Sequence, residues 1–137
     1  MRAEFAILVI PGIFLLSFIV AYVFFVLALY RCVERIRPEN RGMEPALVWL
    51  NLIPSFNLGW TFYSVTQLTD GIKRELGSEA GDGGWGLGLA HAILLVASFT
   101  PGFGHLISLA FFVVWILYWI KIAEFSRRME TARLPQS

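Results

Sequence analysis

His91 lies inside an apolar run, Gly86 to Phe99, and its neighbours decide what it can do. Gly84, Gly88 and Ala92 recur every four residues, a stripe of small residues that lets another helix come close. At about 100° per residue, His91 falls within about 60° of Gly88 on that face, so its ring is expected to point into protein rather than lipid. Three chemistries suit such a ring: an interhelical hydrogen bond, which is expected first, a proton relay, or ligation of a metal or tetrapyrrole. His105 follows Pro101-Gly102-Phe103-Gly104 and is expected to cap a turn at the membrane edge. At ~1.5 Å of rise per residue the two histidines differ in depth by roughly 10 to 15 Å, too far to clamp one haem iron. A tetrapyrrole on His91 alone is the cofactor left open; otherwise none is expected.

The second constellation is Asn51, Pro54, Asn57 and Gly59, set inside the run Leu47 to Leu68. Freed carbonyls and asparagine amides at membrane depth can line an ion or substrate path, as in broken transporter helices. The alternative is that they satisfy the turn's own backbone. Beyond these, chemistry is sparse. Glu75, Glu79 and Asp82 have too few histidines or cysteines nearby for a metal site. GDGGWGLG follows no strand and lacks a lysine, so it is not a phosphate loop. Ser17, Ser64, Ser98 and Ser108 have no neighbouring base and read as packing residues. No enzyme activity is expected.

The elements that must hold these residues are membrane elements. The chain is 57% apolar and 15% aromatic with mean hydropathy +0.66, more apolar surface than 137 residues can hide from water. Net charge +1 gives no basic field for nucleic acid. Cys32 is the single cysteine, which excludes an internal disulfide. Placed just beyond a helix end, it is expected to be a spectator thiol, with lipidation as the alternative.

Residues 5–30 carry no charge and are long enough to cross a ~30 Å core with tilt. No small-residue cleavage site follows, so a retained transmembrane helix is expected. Residues 31–44 form a basic loop with Arg31, Arg35, Arg37 and Arg41. Residues 45–68 read as a re-entrant or broken helix, with arms Pro45 to Ile53 and Leu58 to Leu68 around a Pro-Ser-Phe-Asn turn. Trp49 and Trp60 would sit at similar depth on the two arms as interfacial anchors. Residues 69–85 are a polar loop, beginning with an amphipathic extension to Leu76 and continuing as a flexible connector. Residues 86–122 form a helical hairpin turning at PGFG, and 123–137 a basic tail, partly disordered after Leu134-Pro135. All belong to one membrane domain, 1–137.

Charge chooses between two topologies. If every apolar stretch crosses, giving four transmembrane helices, Lys121, Arg127, Arg128 and Arg133 lie outside, against the positive-inside rule. If residues 45–68 re-enter, all the basic clusters share the cytoplasmic side. The expected fold is therefore all-α: three transmembrane helices plus a re-entrant helical hairpin, N-terminus outside and C-terminus cytoplasmic. An internal echo agrees. Trp60-Thr-Phe-Tyr63 and Trp115-Ile-Leu-Tyr118 share W-x-x-Y, Glu75 and Glu130 stand at equal offsets behind them, and both segments turn at P-x-F.

The run EPALVWLNLIPSFNLGW resembles small bacterial membrane proteins of unknown function that carry a similar NLIPxFN hairpin. The likeness spans about Arg31 to Glu75. It implies a hairpin and a bacterial cytoplasmic membrane, and carries no catalytic residue. The functional expectation is an accessory subunit packed among other membrane subunits and lipid. The alternatives are a homo-oligomeric channel or carrier lined by the hairpin, and a haem or pigment carrier.

Overall fold

A computed structural model describes residues 2–53, 55–99, 102 and 104–133. Among them every regular element is helical: α1 (Arg2–Arg35), a 3-10 segment (Pro45–Leu52), α2 (Phe56–Leu76), a short 3-10 turn (Gly77–Ala80), α3 (Trp85–Ala97) and α4 (Gly104–Arg133). Two helices, α1 and α4, are long and apolar enough to cross a membrane, and only 22% of the most apolar window of each is buried. Most of each window therefore faces outward, although both helices also supply core residues such as Phe25 and Tyr118. Phe5, Leu8, Phe14 and Leu106 are each about 70% exposed or more, a surface compatible with a lipid solvent. The 13 residues of α3 rise only about 20 Å, so α3 does not cross by itself.

α1 continues past residue 30 because its apolar stripe does. Tyr22, Phe25, Val26, Leu29, Cys32 and Val33 recur at helical spacing and are buried. Cys32 thus lies inside the helix and fully buried, which removes lipidation. Arg41 folds back to close the helix end, donating Nε to the carbonyls of Val33 and Ile36 (3.1 and 2.7 Å) and Nη2 to that of Glu34 (2.6 Å). The Val33 carbonyl also accepts from the Ile36 amide (3.1 Å), so Arg41 reinforces this closing turn and takes up the Glu34 and Ile36 carbonyls beside it.

α1 and α4 run parallel, as Phe18 meets Phe112, Tyr22 meets Trp115 and Phe25 meets Trp119 at ring separations of 5.8, 5.9 and 5.8 Å. α3 runs against both α2 and α4. The hydroxyl of Thr69 donates to the Gly83 carbonyl (3.3 Å), and His91 stacks on Phe111. The charged segments gather at one end. There Arg35 meets Glu130 (3.2 Å), Arg37 meets Glu75 (3.2 Å), and Arg128 donates to the Glu79 carbonyl (3.3 Å). The echoed glutamates therefore play matching parts, each holding an arginine at or just past the end of α1.

Residues 45–68 are broken, with the break between Leu52 and Phe56. The first arm is 3-10 rather than α. At ~2.0 Å per residue, its 8 residues cover about 16 Å, half of a ~30 Å core. Its i, i+3 register places Val48 and Asn51 on one buried edge. The second arm is longer than expected, since α2 runs unbroken to Leu76 with Thr69, Gly71 and Ile72 buried. Trp60 Nε1 ties the arms by donating to the Leu47 carbonyl (2.9 Å), while Trp49 packs on Tyr30. Both tryptophans are half-buried and fasten the segment they belong to. Pro54 lies outside the described residues. Ser55 beside it has φ 67° and ψ −46°, a region that costs a residue with a Cβ about 1–3 kcal/mol. Ser55→Gly is expected to stabilise the protein by about 1 kcal/mol, seen as a higher thermal midpoint in detergent. A lower midpoint would mean that the serine side chain supports the turn.

Two loops are more ordered than the composition suggests. The connector after α2 forms a 3-10 turn with Ala80 buried, then passes through left-handed Gly81, Gly83 and Gly84. Asp82 closes it: its carboxylate accepts from the Gly84 and Gly86 amides, both at 3.0 Å, at the positive end of α3. Those two bonds hold the Asp82 carboxyl below the usual carboxylate range, with smaller help from Lys121 and Lys73 against a weak opposing effect of burial. A depressed folded value means the contribution is complete above the unfolded pKa, about 3.9, and is lost as pH falls through the folded one. Asp82→Ala is expected to cost about 1 kcal/mol at pH 7. It should also flatten the acid limb of stability below about pH 4, measured by thermal unfolding across pH. An acid limb unchanged by the substitution would count against this role.

The basic tail is the second. α4 continues to Arg133, and Ile122, Phe125 and Met129 extend the buried stripe of Tyr118, so the helix runs eleven residues past the expected end at 122 and the buried stripe seven. Residues 134–137, where disorder was expected, lie outside the described residues, as do Thr100, Pro101 and Phe103 of the PGFG turn.

Candidate functional site

The polar centre lies where α1, the 3-10 segment, α2 and α3 converge. Asn51 is 2% exposed. Its Nδ2 donates to the Val48 carbonyl (2.9 Å) and to Ser64 Oγ (3.1 Å), and its Oδ1 accepts from Thr61 Oγ1 (3.3 Å). Thr61 Oγ1 also reaches the Asn57 carbonyl one turn back (2.6 Å). The amide of Asn51 thus joins the 3-10 segment to α2 and completes local backbone bonding. Ser64 and Thr61, three apart on α2, are its partners. Reading the residues in order misses that pairing, although Thr61, Ser64, Val65, Leu68 and Ile72 share one helical face.

His91 is 1% exposed, yet neither ring nitrogen has a hydrogen-bond partner. The expected interhelical hydrogen bond is not made. The imidazole instead lies among Phe25, Phe111 and Tyr118, with ring centroids 5.4, 5.2 and 5.8 Å away and the last two stacked at 27°. The adjoining cavity, bounded by Asn51, Thr61, Ser64, His91 and Tyr118 among others, measures ≈ 10 Å³, about one water and far too small for a macrocycle. The space at His91 does not admit a tetrapyrrole. Among the described residues no three histidine, cysteine, aspartate or glutamate side chains converge as metal ligands. His105 is exposed on the first turn of α4, away from this centre.

The small-residue stripe is used within the chain. A Cβ on Gly88 would stand 2.5 Å from Val65 Cγ1 and 3.0 Å from the Tyr118 ring, and Ala92 is fully buried. Gly84 precedes α3 in a left-handed conformation near Tyr118 and Phe125. These residues seat α3 between α2 and α4 and leave no stripe free for a partner. Gly59 differs, being exposed with nothing within 4 Å of a Cβ, so no close approach requires glycine there.

Beside the polar centre, the broken segment 45–68 leaves a notch of ≈ 790 Å³ open to the side, between α1 and the facing ends of α3 and α4. Ser55, Asn57 and Leu58 form one wall of it, opposite Phe99, Ser108 and Phe112. Ser55 is exposed and Asn57 half-buried. The notch shares Tyr22 and Asn51 with the small cavity. Its boundary therefore brings together Asn51 and Asn57 but not His91 or Gly59.

At the charged end, Glu75 Oε2 accepts from Asn40 Nδ2 (2.8 Å) and from the Arg37 amide and Nε (3.3 and 3.2 Å). Burial pushes the Glu75 carboxyl up, but the bonds from Asn40 and Arg37 outweigh it and hold the group below the usual range. The basic loop is thereby pinned to α2. A scan of protein-family models and searches of curated proteins and of solved structures find nothing that matches this chain.

Proposed function

We propose that this chain is a small non-enzymatic integral membrane protein of the bacterial cytoplasmic membrane, an accessory subunit that packs in a larger membrane complex. In this reading α1 and α4 cross, α3 crosses together with its flanking residues, and residues 45–68 re-enter from the cytoplasmic side. Ser55 and Asn57 border the same notch as Tyr22, which stands eight residues inside the charged end of the uncharged run 5–30, and the gathered basic residues favour a cytoplasmic location for that end. The observation that carries the subunit reading is the notch. Lipid cannot hydrogen-bond Ser55, Asn57 and Ser108 on its walls, whereas a partner's transmembrane segment can.

The test is a pull-down in mild detergent through a C-terminal tag, read by native mass. Large partners in fixed stoichiometry are expected, and Ser108→Trp, which fills the notch, should release them. A homo-oligomer alone would sink the reading. Topology is tested by a cysteine at position 78 in a Cys32→Ser background: labelling from outside intact cells would rule out the hairpin. A second reading, a carrier, draws support from the two walls shared by the notch and the polar cavity. It requires that Asn57→Leu abolish flux in proteoliposomes.

A further inference from the structure

A second opening lies between α1 and α4 and is bounded by these two helices alone, an open groove of ≈ 810 Å³. Val20, Phe24 and Ala28 form one wall, Trp119 and Ala123 the other, and Arg31, Arg35 and Arg127 stand at the charged end. From Leu16 to Arg35 the groove follows α1 for about 28 Å, enough for a chain reaching through one leaflet of about 15 Å. The small side chains of Ala28 and Ala123 leave the space, and the Trp119 ring gives it a flat apolar side.

The arginines differ in what holds them. Arg35 is engaged, donating Nη1 to Ser126 Oγ (2.5 Å) and pairing Nη2 with Glu130 (3.2 Å). Arg31 and Arg127 are exposed and form no ion pair among the described residues. An apolar slot ending in two unpaired guanidiniums matches one kind of occupant, an acyl chain bearing an anionic phosphate. A partner's apolar helix would fill the slot but leave both charges without a counter-ion. A zwitterionic headgroup would bring its own cation beside three arginines.

We propose that this groove is a binding site for an anionic glycerophospholipid of the leaflet at the charged end, its acyl chain along Val20, Phe24 and Ala28 and its phosphate at Arg31 and Arg127. The site is separate from the notch and rests only on the membrane reading above. Arg35, fixed by Ser126 and Glu130, holds α4 at the spacing that keeps the groove open.

The experiment uses the full chain in mild detergent, with phosphatidylglycerol or phosphatidylcholine of the same acyl chains added as probes and native mass spectrometry as the readout. One phosphatidylglycerol per chain should persist at about tenfold lower lipid concentration than phosphatidylcholine. Arg31→Gln with Arg127→Gln should remove that preference. Ala28→Trp, which fills the groove but leaves the arginines, should weaken both lipids, with far-UV circular dichroism confirming that each variant stays helical. Equal retention of the two lipids, a preference that survives the double substitution, or a protein seated in the groove would each overturn the site. A chain found in the soluble fraction would fail the membrane reading itself, whereas equal adducts on a membrane-inserted chain fail only the lipid site.

Discussion

Gly88→Leu should prevent α3 from seating between α2 and α4 and lower the thermal midpoint by about 10 °C or more. The Cβ alone would stand 2.5 Å from Val65 Cγ1 and 3.0 Å from the buried Tyr118 ring. Val65 is β-branched and fixed at χ1 within a helix, and Tyr118 is 1% exposed, so neither can yield without moving its helix. Gly88→Ala should already cost about 1–3 kcal/mol as overpacking, and leucine more. Gly59→Ala is the matched comparison on α2: nothing lies within 4 Å of its Cβ, and a gain of about 0.5–1 kcal/mol is expected from helix propensity. The readout is thermal unfolding in detergent by far-UV circular dichroism. An unchanged midpoint for Gly88→Ala would mean that α3 slides freely, and the packing account would fail.

Asn51→Leu is the second large effect, for a different reason. Leucine keeps the heavy-atom branching, but its two methyls are bulkier than the amide atoms they replace, so some overpacking at this buried position adds to the loss. The hydrogen bonds to the Val48 carbonyl and the Ser64 and Thr61 hydroxyls are what is lost. Thr61 keeps the Asn57 carbonyl, whereas Ser64 and Val48 are left buried without that partner. A buried polar group deprived of its bond costs about 1–3 kcal/mol, so a total of about 3 kcal/mol is expected. The loss should be local as well as global. With the arms no longer joined, a cysteine at position 55 in the Cys32→Ser background should react faster with a thiol reagent. An unaltered midpoint together with unaltered reactivity would show that Trp60 alone fastens the hairpin.

Much of the architecture is legible in residue order because lipid exposure and local backbone preferences act over short distances. The uncharged run 5–30, the break between Leu52 and Phe56 and the gathering of basic residues at one end each follow from neighbouring residues alone. So does the echo of Glu75 and Glu130. The length of α1 and α4 was underestimated because a charged residue reads as an end. Yet Cys32, Val33, Phe125 and Met129 continue the buried faces through Arg31, Arg127 and Arg128.

What tertiary structure alone decided is the partner of each polar side chain. Asn51 and Ser64 lie 13 residues apart, Arg35 and Ser126 91 apart, and no helical periodicity links such pairs. His91 shows the limit most clearly. Its helical phase correctly turned it inward, but whether it met a donor or three aromatic rings depended on Phe25, Phe111 and Tyr118, contributed by two other helices. Phase follows from the geometry of one helix; pairing requires the distances between helices, which come from side chains packing across the whole bundle.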